Sequence, residues 1–162
     1  MFSSNGDSFI FHDKTISKEI EIDINNFPSP YDLWSKYKKF KNIKIDDERA
    51  ITQDYFVESS NYELRYYQQI AINKSIENIV NNQKQRLLLV MATGTGKTQV
   101  AFQIIYRLWK SKQKKRILFL ADRTSLIDQT MRNDFRHFKE AMTTIDSNNV
   151  SKAHNIYLAL YQ

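Results

Sequence analysis

Eight consecutive residues carry the clearest chemistry in this chain: Met91, Ala92, Thr93, Gly94, Thr95, Gly96, Lys97 and Thr98. The sequence holds only three glycines, and two of them, Gly94 and Gly96, fall in this loop. Glycine lacks a Cβ, so it takes backbone angles and close approaches that other residues resist. Successive N–H groups in such a loop converge on phosphate oxygens, and a helix that begins at its end adds a positive dipole. Lys97 sets an ammonium against the outer phosphates, and the Thr98 hydroxyl suits Mg²⁺. The strict pattern G-x-x-x-x-G-K-[ST] fails at its first position, which is Met91. The plain alternative is a glycine turn that happens to precede Lys-Thr. A strand before the loop and a helix after it decide between the two.

Both flanks fit. "RLLLVMA", residues 86–92, is a continuous apolar run and predicts a strand buried on both faces. Ala101, Ile104, Ile105 and Leu108 predict a helix after the loop. Upstream, Ile72, Ile76, Ile79 and Val80 recur at i, i+4, i+7 and i+8, one face of a helix starting near Glu63. Downstream, "RILFLAD" predicts a second buried strand, and Ile127, Met131, Phe135 and Phe138 predict another helix. "NIYLALYQ" predicts a third strand. Strand–helix–strand–helix–strand implies an α/β fold with a parallel sheet and right-handed crossovers.

Near the start, "FIFHDKTISKEIEIDI" predicts two short strands around a polar turn, with Ile20, Ile22 and Ile24 alternating with Glu19, Glu21 and Asp23. Pro28 and Pro30, the only prolines, mark a connector and the best boundary. A short helix is expected around Tyr31–Phe40, with Leu33, Trp34 and Tyr37 on its apolar side. Residues 41–63 carry no clear pattern.

Composition narrows the classes. There is no cysteine, which removes disulfides and thiolate metal sites, and His12, His137 and His154 are too scattered for a zinc site. No apolar run is long enough to span a bilayer, and the first residues lack a signal peptide's basic and apolar regions. A cytoplasmic protein without membrane contact is expected. Net charge is +6, yet residues 1–34 carry two lysines against six carboxylates, a net of −4, leaving +10 for the rest. Such asymmetry suggests two regions, the second facing a polyanion. The run Arg107–Arg116 holds six cationic residues. It joins a helix end to a strand start, opposite the ligand edge of a parallel sheet, so a solvated turn is favoured over a DNA track.

"MATGTGKT" resembles the Walker A motif of superfamily 2 helicases and DNA translocases. More narrowly, it resembles the motor (R) subunit of type I restriction enzymes. The resemblance implies a partial RecA-like P-loop NTPase lobe, preceded by a short β-rich segment, that takes ATP and Mg²⁺ along residues 91–98. "LRYYQQIAI", residues 64–72, resembles the Q-motif, which implies Gln68 as adenine reader and Arg65 as a nearby anchor; Gln69 is a rival. Without the loop downstream, the two glutamines would read as a solvated pair on a helix. "RILFLADRTSLIDQ", residues 116–129, resembles motif Ia, which implies backbone contacts to DNA from Arg123 and Thr124. The plain alternative has Asp122 capping a helix and Arg123 pairing with an acid. "NIYLALYQ" resembles the strand after motif Ia.

"FSSNGDSFIFHDKT" and "FPSPYDLW" resemble the junction from nuclease domain to motor. Residues 1–27 are then the end of a nuclease-like domain, 28–60 a connector with a short helix, and 61–162 an incomplete lobe. Double-stranded DNA, a methylase and a specificity subunit are the implied partners, and ATP-driven translocation coupled to cleavage the implied activity.

The sequence also departs from that pattern. Phosphoryl transfer needs an acid for Mg²⁺ and water, and usually an arginine on the transition state. The only Asp-Glu pair, Asp47-Glu48, lies ahead of the loop, and "SKEIEI" lacks the Glu-x-Lys spacing of the parent nuclease. A three-strand sheet also leaves an edge and apolar faces bare. The expectation is a piece of a longer polypeptide that binds nucleotide and DNA with negligible turnover. Two other readings remain: another superfamily 2 helicase of type III restriction or repair type, and a non-catalytic remnant. A GTPase is disfavoured, because Asn73-Lys74 precedes the loop and lacks a following Asp. A small-molecule kinase explains neither "LRYYQQ" nor the basic balance.

Overall fold

The computed structural model describes residues 1–57, 63–123, 127, 130, 134–145 and 152–161. They divide into two units, Met1–Ile45 and Asp46–Gln162.

The first unit is an antiparallel sheet and a helix. Strands β1 (Phe2–Ser4), β2 (Ser8–Asp13) and β3 (Lys18–Asp23) pair in sequence order. The polar turn predicted between two strands joins β2 to β3, with Phe9 opposite Ile22 and Phe11 opposite Ile20. β1 is an additional strand, too short to leave a period in the sequence. Of the alternating isoleucines, Ile20 is exposed, Ile22 is half-buried and Ile24 lies beyond the strand in a 3-10 turn. Phe11 is the buried apolar residue of this sheet. Helix α1 (Pro30–Lys41) begins at a capping box: the Ser29 hydroxyl accepts from the Asp32 N–H, and the Asp32 carboxylate accepts from the Ser29 N–H. Pro30 takes the first helical turn, where its missing N–H costs nothing.

The second unit opens with α2 (Ile45–Ile51), in the stretch that carried no pattern. Helix α3 (Tyr66–Val80) follows the predicted period, with Ile72 and Ile76 fully buried and Val80 nearly so. α4 (Lys97–Lys110) is the centre of the unit, because it serves two cores. Val100 and Leu108 pack with Ala50, Ile72, Ile76 and Val80. Phe102 and Ile105 pack with Ile127, Phe135, Phe138, Ile156 and Leu158. Each such aliphatic or aromatic side chain contributes about 1.5–3 kcal/mol when fully buried.

The sheet of this unit is parallel, in the order β4 (Ile117–Ala121), β6 (Ile156–Leu160), β5 (Met142–Thr144). β4 and β6 are the predicted second and third strands. β5 is new, and a 3-10 segment (Asp134–Ala141) leads into it, where the sequence predicted a helix through Met131. Met131 lies outside the described residues. The run 86–92 departs from expectation: no strand forms there, and Leu88 and Val90 are 86% and 87% exposed. A strand exists only through its neighbours' hydrogen bonds. Among the described residues the three-stranded sheet does not reach this run. No helix among them is long and apolar enough to cross a membrane.

Candidate phosphate-binding site

The loop joins the exposed run to α4. Gly94 sits at φ 78° and Gly96 at φ 84°, ψ 38°, both in the left-handed region. A Cβ built on Gly94 meets no atom within 4 Å, so backbone angle rather than packing demands glycine there. That open space is what a phosphate cradle requires. The loop closes on itself through the Thr95 N–H and hydroxyl, which both donate to the Ala92 carbonyl. Gly96 is the N-cap of α4, and its carbonyl accepts from the Val100 N–H. The helix dipole and its first N–H groups therefore open toward the loop. Lys97 folds back, its ammonium 3.3 Å from the Met91 carbonyl and 3.2 Å from that of Ala92. Thr98 is half-buried in the first turn, and Ala92 and Thr93 are exposed.

Beside the loop lies an open, mainly aliphatic hollow of about 330 Å³ walled by Leu89, Met91, Val100, Ala101, Ile104 and Ile105, with Lys97 at its side. Nothing in it is suited to reading a base.

The other wall of the loop is the start of α3. Gln68 is 1% exposed; its amide oxygen accepts from the Arg65 N–H and its amide nitrogen donates to the Thr95 carbonyl at 2.9 Å. Gln68 thus holds the loop directly. Gln69 is exposed and donates to the Leu64 carbonyl, one turn back. The structure therefore separates the two glutamines, and the buried one touches the loop. Tyr67, which sequence reasoning passed over, also reaches the Thr95 carbonyl, at 3.4 Å, and accepts from Arg65 Nη1. The tandem tyrosines ahead of the glutamines were its only signal.

Arg123 stands just past the carboxyl end of β4 and is 77% exposed. Its guanidinium lies 3.8 Å from the equally open Asp122 carboxylate, an exposed pair of about 0–1 kcal/mol that leaves it available. Thr124 lies outside the described residues. Lys110, Lys112, Lys114, Lys115 and Arg116 are exposed around the turn that precedes β4, as a solvated turn requires. Arg107 does not belong with them. It is 2% exposed, and burial draws its pKa below the ordinary arginine value while Tyr55 and Asp54 oppose the shift. Asp47-Glu48 lies in the first turn of α2. Among the described residues no group of three or more His, Cys, Asp or Glu is placed to hold a metal ion.

Comparison with known proteins agrees with the loop's context. The family described as "Type III restriction enzyme, res subunit" matches residues 61–162. The type I restriction enzyme EcoAI endonuclease subunit of Escherichia coli is 53% identical over all of this chain, which spans 20% of that protein. The EcoKI endonuclease subunit of Escherichia coli K12 is 48% identical over 42% of this chain and 6% of its own length. Among solved structures, a fragment described as an HsdR subunit of a type I restriction enzyme from Vibrio vulnificus YJ016 superposes with a TM-score of 0.76 at 35% identity. It covers 99% of this chain and 28% of its own. The chain thus spans about a fifth of the first of these curated relatives.

Proposed function

Since the chain belongs to the family of the type III restriction enzyme res subunit and is similar over its whole length to type I endonuclease subunits, we propose that it is the ATP-binding portion of a type I restriction motor. The preference for type I over type III rests on 53% identity that extends through residues 1–60, ahead of the family match. Residues 61–162 are an incomplete RecA-like lobe, 28–60 a connector, and 1–27 the end of a nuclease-like domain. In the complete subunit, ATP drives translocation along double-stranded DNA beside methylase and specificity subunits.

One observation carries the reading: two left-handed glycines and a lysine stand at the N-terminus of a helix that is itself the centre of the core. The backbone of residues 92–96 receives the phosphates, and Lys97 exchanges its two carbonyl acceptors for phosphate oxygens. Thr98 would hold Mg²⁺ through its hydroxyl, and the ion would supply neutralisation of phosphate charge. Arg65, which is exposed, holds the base side, and Gln68 reads the base only by exchanging its present bonds to the Arg65 N–H and the Thr95 carbonyl. Arg123, at the carboxyl edge of the sheet where such sheets place ligands, meets DNA phosphates, and the resemblance to motif Ia gives Thr124 the same role.

The test is DNA-stimulated ATP hydrolysis by the full-length subunit in its complex. Lys97→Ala is expected to lower it about a hundredfold or more. Hydrolysis at the unsubstituted rate would refute the assignment.

A further inference from the structure

Both α3 and α4 start at the loop, and a polar cluster around buried Arg107 ties the middle of α3 to the last turn of α4. Arg107 Nη1 donates to the Asn73 side-chain oxygen at 2.7 Å. Arg107 Nη2 donates to the carbonyls of Ala50, at 3.1 Å, and Ile51, at 2.6 Å. The Tyr55 hydroxyl donates to the same Asn73 oxygen at 2.9 Å, and the Tyr55 ring lies 5.2 Å from the guanidinium carbon. One turn nearer the loop, the Gln103 side chain pairs with both backbone groups of Phe56, at 2.8 and 2.9 Å. Residues 50–56 are therefore strapped to α4 through Arg107 and Gln103, and α3 is strapped to both through Asn73.

The arrangement has a geometric consequence. Ile72 and Ile76 bring α3 against α4, but apolar contact is non-directional and fixes distance rather than register. Hydrogen bonds are directional. Such ties hold α3 at two levels: Gln68 and Tyr67 to the Thr95 carbonyl at its start, and Asn73 to Arg107 farther along. Two fixed points on one helix set both its rotation and its slide. Asn73 lies five residues beyond Gln68, about 7.5 Å along the axis.

We propose that Arg107 and Asn73 are positioning residues that set the register of α3 on α4, and so place Arg65 and Gln68 correctly over the phosphate loop. They act on recognition of the base-bearing part of a nucleotide and not on its phosphates. The inference rests on the nucleotide-site reading above.

The test compares Mg-ATP with Mg-tripolyphosphate, binding each to the purified chain by calorimetry. Asn73→Ala removes the tie at an exposed position but leaves a donor of buried Arg107 unpaired, so a cooperative melt of the variant is confirmed before binding is compared. The substitution is expected to weaken ATP about threefold to tenfold while tripolyphosphate affinity holds. Asn73→Asp, whose carboxylate still accepts from Arg107 and Tyr55, is expected to keep the original ratio. An unchanged ratio in Asn73→Ala overturns the inference. So does an equal loss for both ligands, which is what a purely structural role would give. If the unsubstituted chain binds both ligands equally, the base-side reading itself fails, and the inference falls with it. If Lys97→Ala leaves tripolyphosphate binding intact, the loop assignment fails instead.

Discussion

Lys97 now donates to the Met91 and Ala92 carbonyls, so any bound phosphate competes with the loop's own backbone for that ammonium. Gly94 matters in a different way. Its φ of 78° is unfavourable for any residue with a Cβ, yet a Cβ there touches nothing. Gly94→Ala is therefore expected to cost about 1–2 kcal/mol from backbone conformation alone, read as a lower urea midpoint. A loss within error of zero would mean the loop relaxes into an ordinary turn. At this scale the sequence was informative where residue type alone limits the chemistry, as for Gly94, Gly96 and Lys97. It was silent where burial decides. A charge count places Arg107 with its lysine neighbours, and only packing against Asn73, Tyr55 and the Ala50–Ile51 carbonyls sets it apart.

Helices were easier to read than strands, and the reason is physical. α3 and α1 close their hydrogen bonds within their own sequence, so the 3.6 period of Ile72 and Ile76, and the apolar side of Leu33, Trp34 and Tyr37, suffice to locate them. Residues 86–92 have the composition of a central strand but form none, because pairing partners come from elsewhere in the chain. β1 and β5, with three residues each, are shorter than any detectable alternation. The turn after β2 depends on Asp13, which is 4% exposed and accepts from the Thr15 hydroxyl and N–H. Those bonds, Thr15's hydroxyl first and Lys36 after, hold its carboxyl below the ordinary value of 3.8 despite opposing desolvation. A depressed folded value gives stability that is present above the unfolded value and lost as pH falls through the folded one. Protection of β2 and β3 amides from hydrogen exchange should therefore drop below about pH 4, and Asp13→Asn should flatten that drop. Identical pH dependence in the two proteins would remove Asp13 as the cause.

Across the whole molecule, charge does not divide as the two units do: residues 1–34 carry −4, but Lys36, Lys38, Lys39, Lys41 and Lys44 bring Met1–Ile45 to +1 and leave +5 for Asp46–Gln162. Total charge does not separate the two candidate DNA contacts, but position in the sheet does: Arg123 stands past the carboxyl end of β4 and the lysine turn precedes β4. Arg123→Ala is expected to weaken double-stranded DNA binding and reduce the salt slope by about 1. Changing Lys112, Lys114 and Lys115 together to Ala is expected to do less. The reverse order would place the DNA on the opposite edge. The account depends most on the loop itself. Thermal unfolding of the chain with and without Mg-ATP tests it directly, since a ligand at a hundred times its Kd stabilises the folded state by about 2.7 kcal/mol. The account predicts a raised midpoint for the unsubstituted chain and none for Lys97→Ala. No shift at saturating Mg-ATP, or an equal shift in Lys97→Ala, would contradict it.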